Sequence, residues 1–584
     1  MKKMYMTLVA ALIATTSFAQ QVPLAQKLNL KPNKQIQSLT KEQLEKRKVR
    51  NFGLPETANA AGAQASRKAP SKTYPAIQGE LITEQPAGTL KHNLYGTHYG
   101  LYYFWGYIFE TALDGVADDV VFADDGSVYI KNPISTITSN TWLKGTKTVG
   151  DTIEVALPQP IYYQEESDGY EELTAYATKM NLVYYEDYDT YWPEADSISP
   201  NVKFVYRNDT LRMVSDGSVV LALCDETGAW YGYGDYYKCI SELNETPLSV
   251  PATVASEAQT YTLTYVTDDS DAENVEKDIT LVKVAKSGND IYISDLYDTD
   301  DNIWIKGTID GPKMTVKGRQ YLGVAEDLGY HMFGDAYAWK SAYDDYYEEY
   351  YDSLYFANQI SFTYAATSDT YTGENLYLGL TAGTSIDNIA VSYKQPVLAP
   401  YVEKPGKPAT PSFYAYFPYD NYGYNIIQFK LNNLTEDGNY LDPSKIYYNV
   451  YVNGELFTFY PDEYTSFEEE MTDIPYDFSD NTNYDIYASG KIREITFYAT
   501  GIDKIGVVEY FLADDGTKYE SEMMVYDVAA AGIEGTSMKE EANITSVSYT
   551  DISGRQVSKP QHGFYIKTVK HADGTTTTKK MLVK

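Results

Sequence analysis

Histidine and cysteine are nearly absent from this chain, whose 584 residues include five His and two Cys. The histidines are His92, His98, His331, His562 and His571, and none lies in a His-Glu-x-x-His signature or at zinc-ligand spacing from a cysteine. Gly-x-Ser-x-Gly, Walker and dinucleotide fingerprints are missing too. No motif marks a catalytic residue, so the expectation is a non-enzymatic protein with no cofactor and no metal. Glycoside hydrolysis needs only two carboxylates and is the enzymatic alternative, but among 82 Asp and Glu no pair stands out.

Long apolar runs are also lacking. Apart from residues 6–14, nothing approaches the roughly 20 apolar residues that span a bilayer, and no transmembrane segment is expected. Lys2 and Lys3 ahead of that run, with Ser17-Phe18-Ala19 behind it, read as a removable secretory signal over residues 1–19. Export would permit a disulfide between Cys224 and Cys239, the alternative being two separately buried thiols. Basic charge is scarce and misplaced: 13 of the 47 Lys and Arg fall in residues 1–75 with three acids, leaving 34 against 79 acids thereafter. That field repels phosphate backbones and excludes nucleic acid as a partner. Residues 20–77 read as a flexible basic leader, with one short helix after the capping box Thr40-Lys41-Glu42-Gln43.

What the chain has in excess is tyrosine, 59 residues of it, and short β-branched and aromatic runs parted by Asp, Asn and Gly. These runs repeat. Val128-Tyr-Ile130, Trp142-Leu-Lys-Gly145-Thr, Gln159, Val202-Lys-Phe204 and Val219-Val-Leu221 return in order as Ile291-Tyr-Ile293, Trp304-Ile-Lys-Gly307-Thr, Gln320, Ile360-Ser-Phe362 and Leu376-Tyr-Leu378. The pattern predicts an all-β chain with tandem duplicated β-barrel or β-sandwich domains at 78–254 and 255–397. Each shared Trp reads as a core anchor, and Trp-x-Lys-Gly-Thr as a strand entering a tight turn. After the Pro-rich stretch 396–411, an alternating run to Val452, then Asn453-Gly454, predicts a hairpin with a type I′ turn.

One repeated element carries binding chemistry. Tyr184-Tyr-Glu-Asp187-Tyr188-Asp-Thr-Tyr191-Trp192 in the first repeat answers Tyr343-Asp-Asp345-Tyr346-Tyr-Glu-Glu-Tyr350-Tyr351 in the second, each at the same distance from the following strand. Aromatic faces stack on sugar rings, and the carboxylates among them accept hydrogen bonds from hydroxyls. Tyr188, Tyr191, Trp192, Tyr346, Tyr350, Tyr351, Asp187 and Asp345 are therefore the candidate ligand-binding residues. The competing reading is a solvated acidic loop whose rings pack inward.

The tail runs Thr550-Asp-Ile-Ser-Gly554-Arg555-Gln-Val557, then Gly563-Phe-Tyr565-Ile566, an Asp573-Gly574 turn and a basic-apolar end at Lys584. It resembles the C-terminal sorting domain of Bacteroidota proteins exported by the type IX secretion system, over roughly the last 45 residues. The resemblance implies that Gly554, Arg555, Val557, Gly563, Tyr565 and Lys584 form a sorting signal, that residues 531–584 are a short C-terminal β module, and that the secretion machinery is a partner. Residues 398–530 resemble a fibronectin type III or immunoglobulin-like sandwich, a fold that more often spaces or binds than catalyses. The repeats resemble tandem β domains of large secreted Bacteroidota proteins, a likeness that supplies no activity. The combined expectation is an exported binding or adhesion protein, extracellular or on the outer cell surface, with a glycan or protein ligand. A structural surface-layer or fimbria-like component is the remaining alternative.

Overall fold

The computed structural model describes residues 75–104, 107–164, 173–185, 190–196, 198–215, 217–268, 275–297, 303–344, 349–418, 424–464, 467, 469–479, 485–498 and 501–528, and the backbone of 544–551, 556–557, 563–571 and 576–583. The chain is all-β and divides into two compact units between Val402 and Glu403. That boundary falls inside the Pro-rich stretch.

The first unit begins with β1 (Thr89–Phe104), β2 (Tyr107–Phe122), β3 (Ser127–Lys131), β4 (Trp142–Lys147), β5 (Thr152–Val155) and β6 (Gln159–Gln164). There follow β7 (Leu173–Tyr185), β8 (Thr190–Ala195), β9 (Val202–Arg207), β10 (Thr210–Met213), β11 (Val219–Cys224) and β12 (Trp230–Ser241). Antiparallel pairing runs β1-β2-β3-β4-β5-β9-β10-β12 and returns to β1, closing an eight-stranded barrel. The extra strands form a flap: β11 joins β12, β7 joins β11, and β6 and β8 share the far edge of β7.

After the one-turn helix α1 (Ala252–Ala255) come β13 (Gln259–Asp268), β14 (Glu276–Ser287), β15 (Asp290–Ser294), β16 (Trp304–Asp310), β17 (Lys313–Lys317) and β18 (Gln320–Ala325). Then follow β19 (Tyr330–Asp344), β20 (Glu349–Ala357), β21 (Gln359–Ala365), β22 (Thr370–Gly373), β23 (Tyr377–Ala382) and β24 (Ile389–Pro400). Every pairing of the first set recurs. The second ring runs β13-β14-β15-β16-β17-β21-β22-β24 and back to β13, with β23, β19, β18 and β20 as its flap.

The period-2 alternation of the runs explains both rings. Val128, Ile130, Leu143, Ile153, Val202 and Phe204 fill the first, and Ile291, Ile293, Ile305, Val316, Ile360 and Phe362 fill the second. The Trp-x-Lys-Gly-Thr motif lies within β4 and β16, and each strand runs on into a turn, at 149–151 and 311–312. Its glycine points inward where there is no space for a side chain: a Cβ on Gly145 would come 2.7 Å from Ile153, and one on Gly307 would come 2.9 Å from Ile291. The repeated glutamine clamps the same strand. Gln159 accepts from Lys144 N–H at 3.0 Å and donates to Lys144 O at 2.7 Å; Gln320 does the same to Lys306 at 2.9 and 2.8 Å.

The second unit contains two sheets around one core. β25 (Ser412–Phe417), β26 (Asn425–Lys430), β30 (Ile486–Ser489) and β31 (Ile492–Phe497) form one, in the order β25-β26-β31-β30. β27 (Ile446–Val452), β28 (Glu455–Leu456), β29 (Ile474–Pro475), β32 (Lys504–Leu512), β33 (Lys518–Glu520) and β34 (Met524–Asp527) form the other. Ile427, Phe429 and Ile495 face Tyr448, Val450 and Val507 across the core. Asn453 and Gly454 both have positive φ, 52° and 89°, as a type I′ turn requires. A separate sheet at the C-terminal end has the order β36 (Gln556–Val557), β35 (Ile544–Asp551), β37 (Gly563–His571), β38 (Thr576–Val583).

Candidate functional site

The two aromatic-acidic segments close equivalent hairpins, β7–β8 and β19–β20. Their registers correspond: Tyr184 is opposite Tyr191 and Val183 opposite Trp192, while Tyr343 is opposite Tyr350 and Ala342 opposite Tyr351. Asp187, Tyr188, Asp345 and Tyr346 lie at the tips, outside the described residues, and Tyr191, Trp192 and Tyr350 are described by backbone alone. Around the second hairpin, Tyr343 is 49% and Tyr355 55% exposed, whereas Tyr351 is half-buried. The base of this hairpin is held rigid. Lys394 of β24 pairs with Asp352 at 2.9 Å and lies 4.4 Å from the centre of the Trp339 ring, and Tyr377 donates to Asp352 at 2.7 Å. Burial pushes the Asp352 carboxyl up, but Tyr377 and Lys394 more than reverse this and hold it below the usual carboxylate range.

The sequence motifs did not mark a second cluster, at the end of the first ring. His98 Nε2 lies 2.7 Å from Asp118 Oδ2, with both side chains buried. Lys238, opposite His98 on β12, lies 3.2 Å from Asp235, and their side chains are 1% and 0% exposed. Gly96 makes the space, since a Cβ there would fall 2.0 Å from Asp118 Oδ2. Burial alone would raise the Asp118 carboxyl; His98, Lys238 and His331 outweigh it and hold the group below its ordinary value. One residue on, Asp119 faces the other way and meets His92 at 2.6 Å. Each N-terminal histidine thus finds an acid across β1 and β2, although neither shares a local motif with one. The signal was present as two acids in the otherwise apolar run Val116-Ala-Asp118-Asp119-Val120-Val121.

The cluster adjoins the junction of the repeats. Asp114 accepts from Thr97 at 2.9 Å and Tyr95 at 2.8 Å in the first repeat, and from Thr384 N–H at 2.6 Å and Ser385 N–H at 3.1 Å in the second. Gly115 and Gly383, with φ of 83° and 71°, bring the two backbones together: a Cβ on Gly115 would lie 2.3 Å from Gly383 Cα. Ala117 N–H donates to Gly329 O at 2.9 Å. His331 of β19 packs against Tyr95 at 5.2 Å between ring centroids, and its burial lowers its pKa. The buried group holds charge inside the first ring, beside the contacts that join it to the second.

The cysteines correct one expectation. Cys224 is opposite Trp230 on β12, and Cys239 lies nine residues farther along that strand, opposite Thr97. At about 3.3 Å per residue this separation is roughly 30 Å, far beyond disulfide reach. Both are free thiols, Cys224 buried and Cys239 partly so. Trp142 and Trp304 are buried, 4% and 7% exposed. Among the described residues no group of three or more His, Cys, Asp or Glu is arranged to hold a metal ion.

In the C-terminal sheet, Val557 is opposite Tyr549, Gly563 opposite Val583 and Tyr565 opposite Met581. Gly554, Arg555 and Lys584 lie outside the described residues. Among the described residues no helix is long and apolar enough to cross a membrane. No family model matches the chain, and no curated protein is similar to it.

Proposed function

We propose that the chain is an exported, non-enzymatic binding protein of the cell surface or medium, which holds a glycan or protein ligand on the aromatic-acidic hairpins of its two repeats. The observation that supports this reading is the recurrence of tyrosine and acid in the same hairpin at the same register in both copies, with Tyr343 and Tyr355 exposed in the second. Core packing alone explains repeated valines and isoleucines; it does not call for repeated Tyr and acid at hairpin ends. The second unit's paired sheets suit an immunoglobulin-like spacer, and the terminal sheet suits a sorting module read by the type IX machinery.

Two experiments test the reading. On a glycan array, alanine at Tyr188 and Tyr191 together, or at Tyr346 and Tyr350, is expected to weaken binding by roughly 1 to 3 kcal/mol, as loss of stacking does. The assay is repeated at high salt, where exposed charge is screened and stacking persists; binding that vanishes with salt contradicts the site. Deleting residues 540–584 in a type IX-competent host should trap the protein in the periplasm, and unchanged surface display would refute the sorting role.

A further inference from the structure

We propose that the basic leader, residues 20–75, docks on the flap of the first repeat, the sheet β6–β7–β8, and covers one of the two equivalent hairpins while the other stays open. The place of the tether, the exposed face of the flap and complementary charge carry this contact, which does not depend on the hairpins holding a glycan.

The leader ends beside the flap. Gln78 N–H donates to Pro158 O at 2.7 Å, immediately before β6, and β6 pairs with β7 from Gln159 opposite Ala177 onward. Val183 lies six residues farther along β7, or about 20 Å. Between Lys48 and Gln78 a flexible chain spans about 30 Å root-mean-square, enough to lay the leader's basic centre on that stretch. The second repeat has no such tether, because the chain entering it, held where Leu248 N–H donates to Tyr321 O at 2.8 Å, comes directly from β12.

The flap offers the leader what it can cover and pair. Alternation along β7 puts Val183 on the face of Lys179, and Ile198 follows two residues after Asp196, the partner of Lys179; both apolar side chains are exposed, at 37% and 78%. Leu44, Val49 and Phe52 stand among the leader's basic residues and can meet them. The leader has eleven Lys and Arg against three acids, four of them within Lys46-Arg47-Lys48-Val49-Arg50, whereas residues 159–196 have ten acids against one Lys. That one, Lys179, is already engaged by Asp196 at 3.0 Å, which leaves nine acids of the segment without a basic side chain from within it. Fields of opposite sign attract, and salt screens the attraction. A short tether supplies a millimolar effective concentration, so even a weak contact is mostly closed.

Carbodiimide, which joins a lysine to a carboxylate in contact with it, tests the docking on the full chain. At low salt, mass spectrometry should find Lys46 and Lys48 joined to acids of residues 165–196 within single copies, and high salt should abolish these links. A labelled peptide of residues 41–54 is then titrated against the unaltered chain and against one carrying Lys46→Glu, Arg47→Glu, Lys48→Glu and Arg50→Glu. The altered chain, its flap vacated, should bind the peptide at least about tenfold more tightly, because the native leader competes from its tether. Adding Glu194→Lys to the altered chain should weaken the peptide again, with the melting temperature unchanged. Absence of links, links as frequent in residues 326–352 as in 165–196, links between two copies, or equal peptide binding by the two chains overturns the proposal. None of these results bears on whether the hairpin of the second repeat holds a glycan.

Discussion

In the first ring His98, Asp118 and Lys238 sit on strands whose neighbouring inward positions are Leu94, Val120 and Ile240. In the second ring the matching strands present Tyr261, Leu263, Val282, Val284 and Leu398 to the core. Val120 and Val284 pair with the equivalent Ile130 and Ile293, so Asp118 and Val282, each two residues earlier, hold corresponding places. The comparison separates what builds the barrel from what tunes it. Strand pairing and alternation are common to both copies and suffice to close a ring. Buried charge is dispensable for closure, and by desolvation it is costly unless every member is paired. It is found in the ring whose β2 carries the junction with the other repeat.

The largest effect is expected from breaking that cluster. Asp118→Ala or Lys238→Met should destabilise the first repeat by about 3–5 kcal/mol, because each leaves a buried charge without its partner. Replacing His98, Asp118 and Lys238 together by apolar residues, as in the second ring, should recover most of the loss. Additive penalties in thermal unfolding would show that the charges do not act as a unit. Next come the tryptophans. Trp142→Ala and Trp304→Ala, both at buried positions, should each cost about 3–5 kcal/mol; a small loss at either would contradict its place as a core anchor. Gly115→Ala, strained at positive φ and pressed on Gly383, should cost about 1–3 kcal/mol and make the repeats separable by limited proteolysis. The smallest and most even effect belongs to the clamps: Gln159→Leu and Gln320→Leu should each cost about 1–3 kcal/mol by leaving Lys144 or Lys306 backbone groups unpaired. A large difference between the two would break the equivalence of the rings.

The shared framework was legible because it is local. Period-2 runs, the Asn453-Gly454 turn and the returning Trp, Gly and Gln positions each carry their own physical reason. The charged interior was less legible because His98, Asp118 and Lys238 come from three separated strands, and only ring closure brings them together. The Cys224–Cys239 separation depends on register in the same way: both residues lie near β12, but at its opposite ends.

The measurement that tests the difference between the rings most directly is amide hydrogen exchange on the full chain at neutral pH and at about pH 4, near the ordinary Asp value. Asp118 and His331 both have lowered pKa values in the folded state. The stability each contributes is present above its unfolded pKa, about 3.9 for Asp and 6.5 for His, and is lost as pH falls through the folded value. The His331 contribution at the junction should therefore fade first, below about pH 6.5, and the Asp118 contribution should begin to fade near pH 4. Asp369, a third exposed in its pair with Lys286 on the second ring, is screened and should matter less. The account predicts that β1, β2 and β12 lose protection on acidification while β13 and β14 keep theirs. Equal loss in the two rings, or earlier loss in the second, would contradict it.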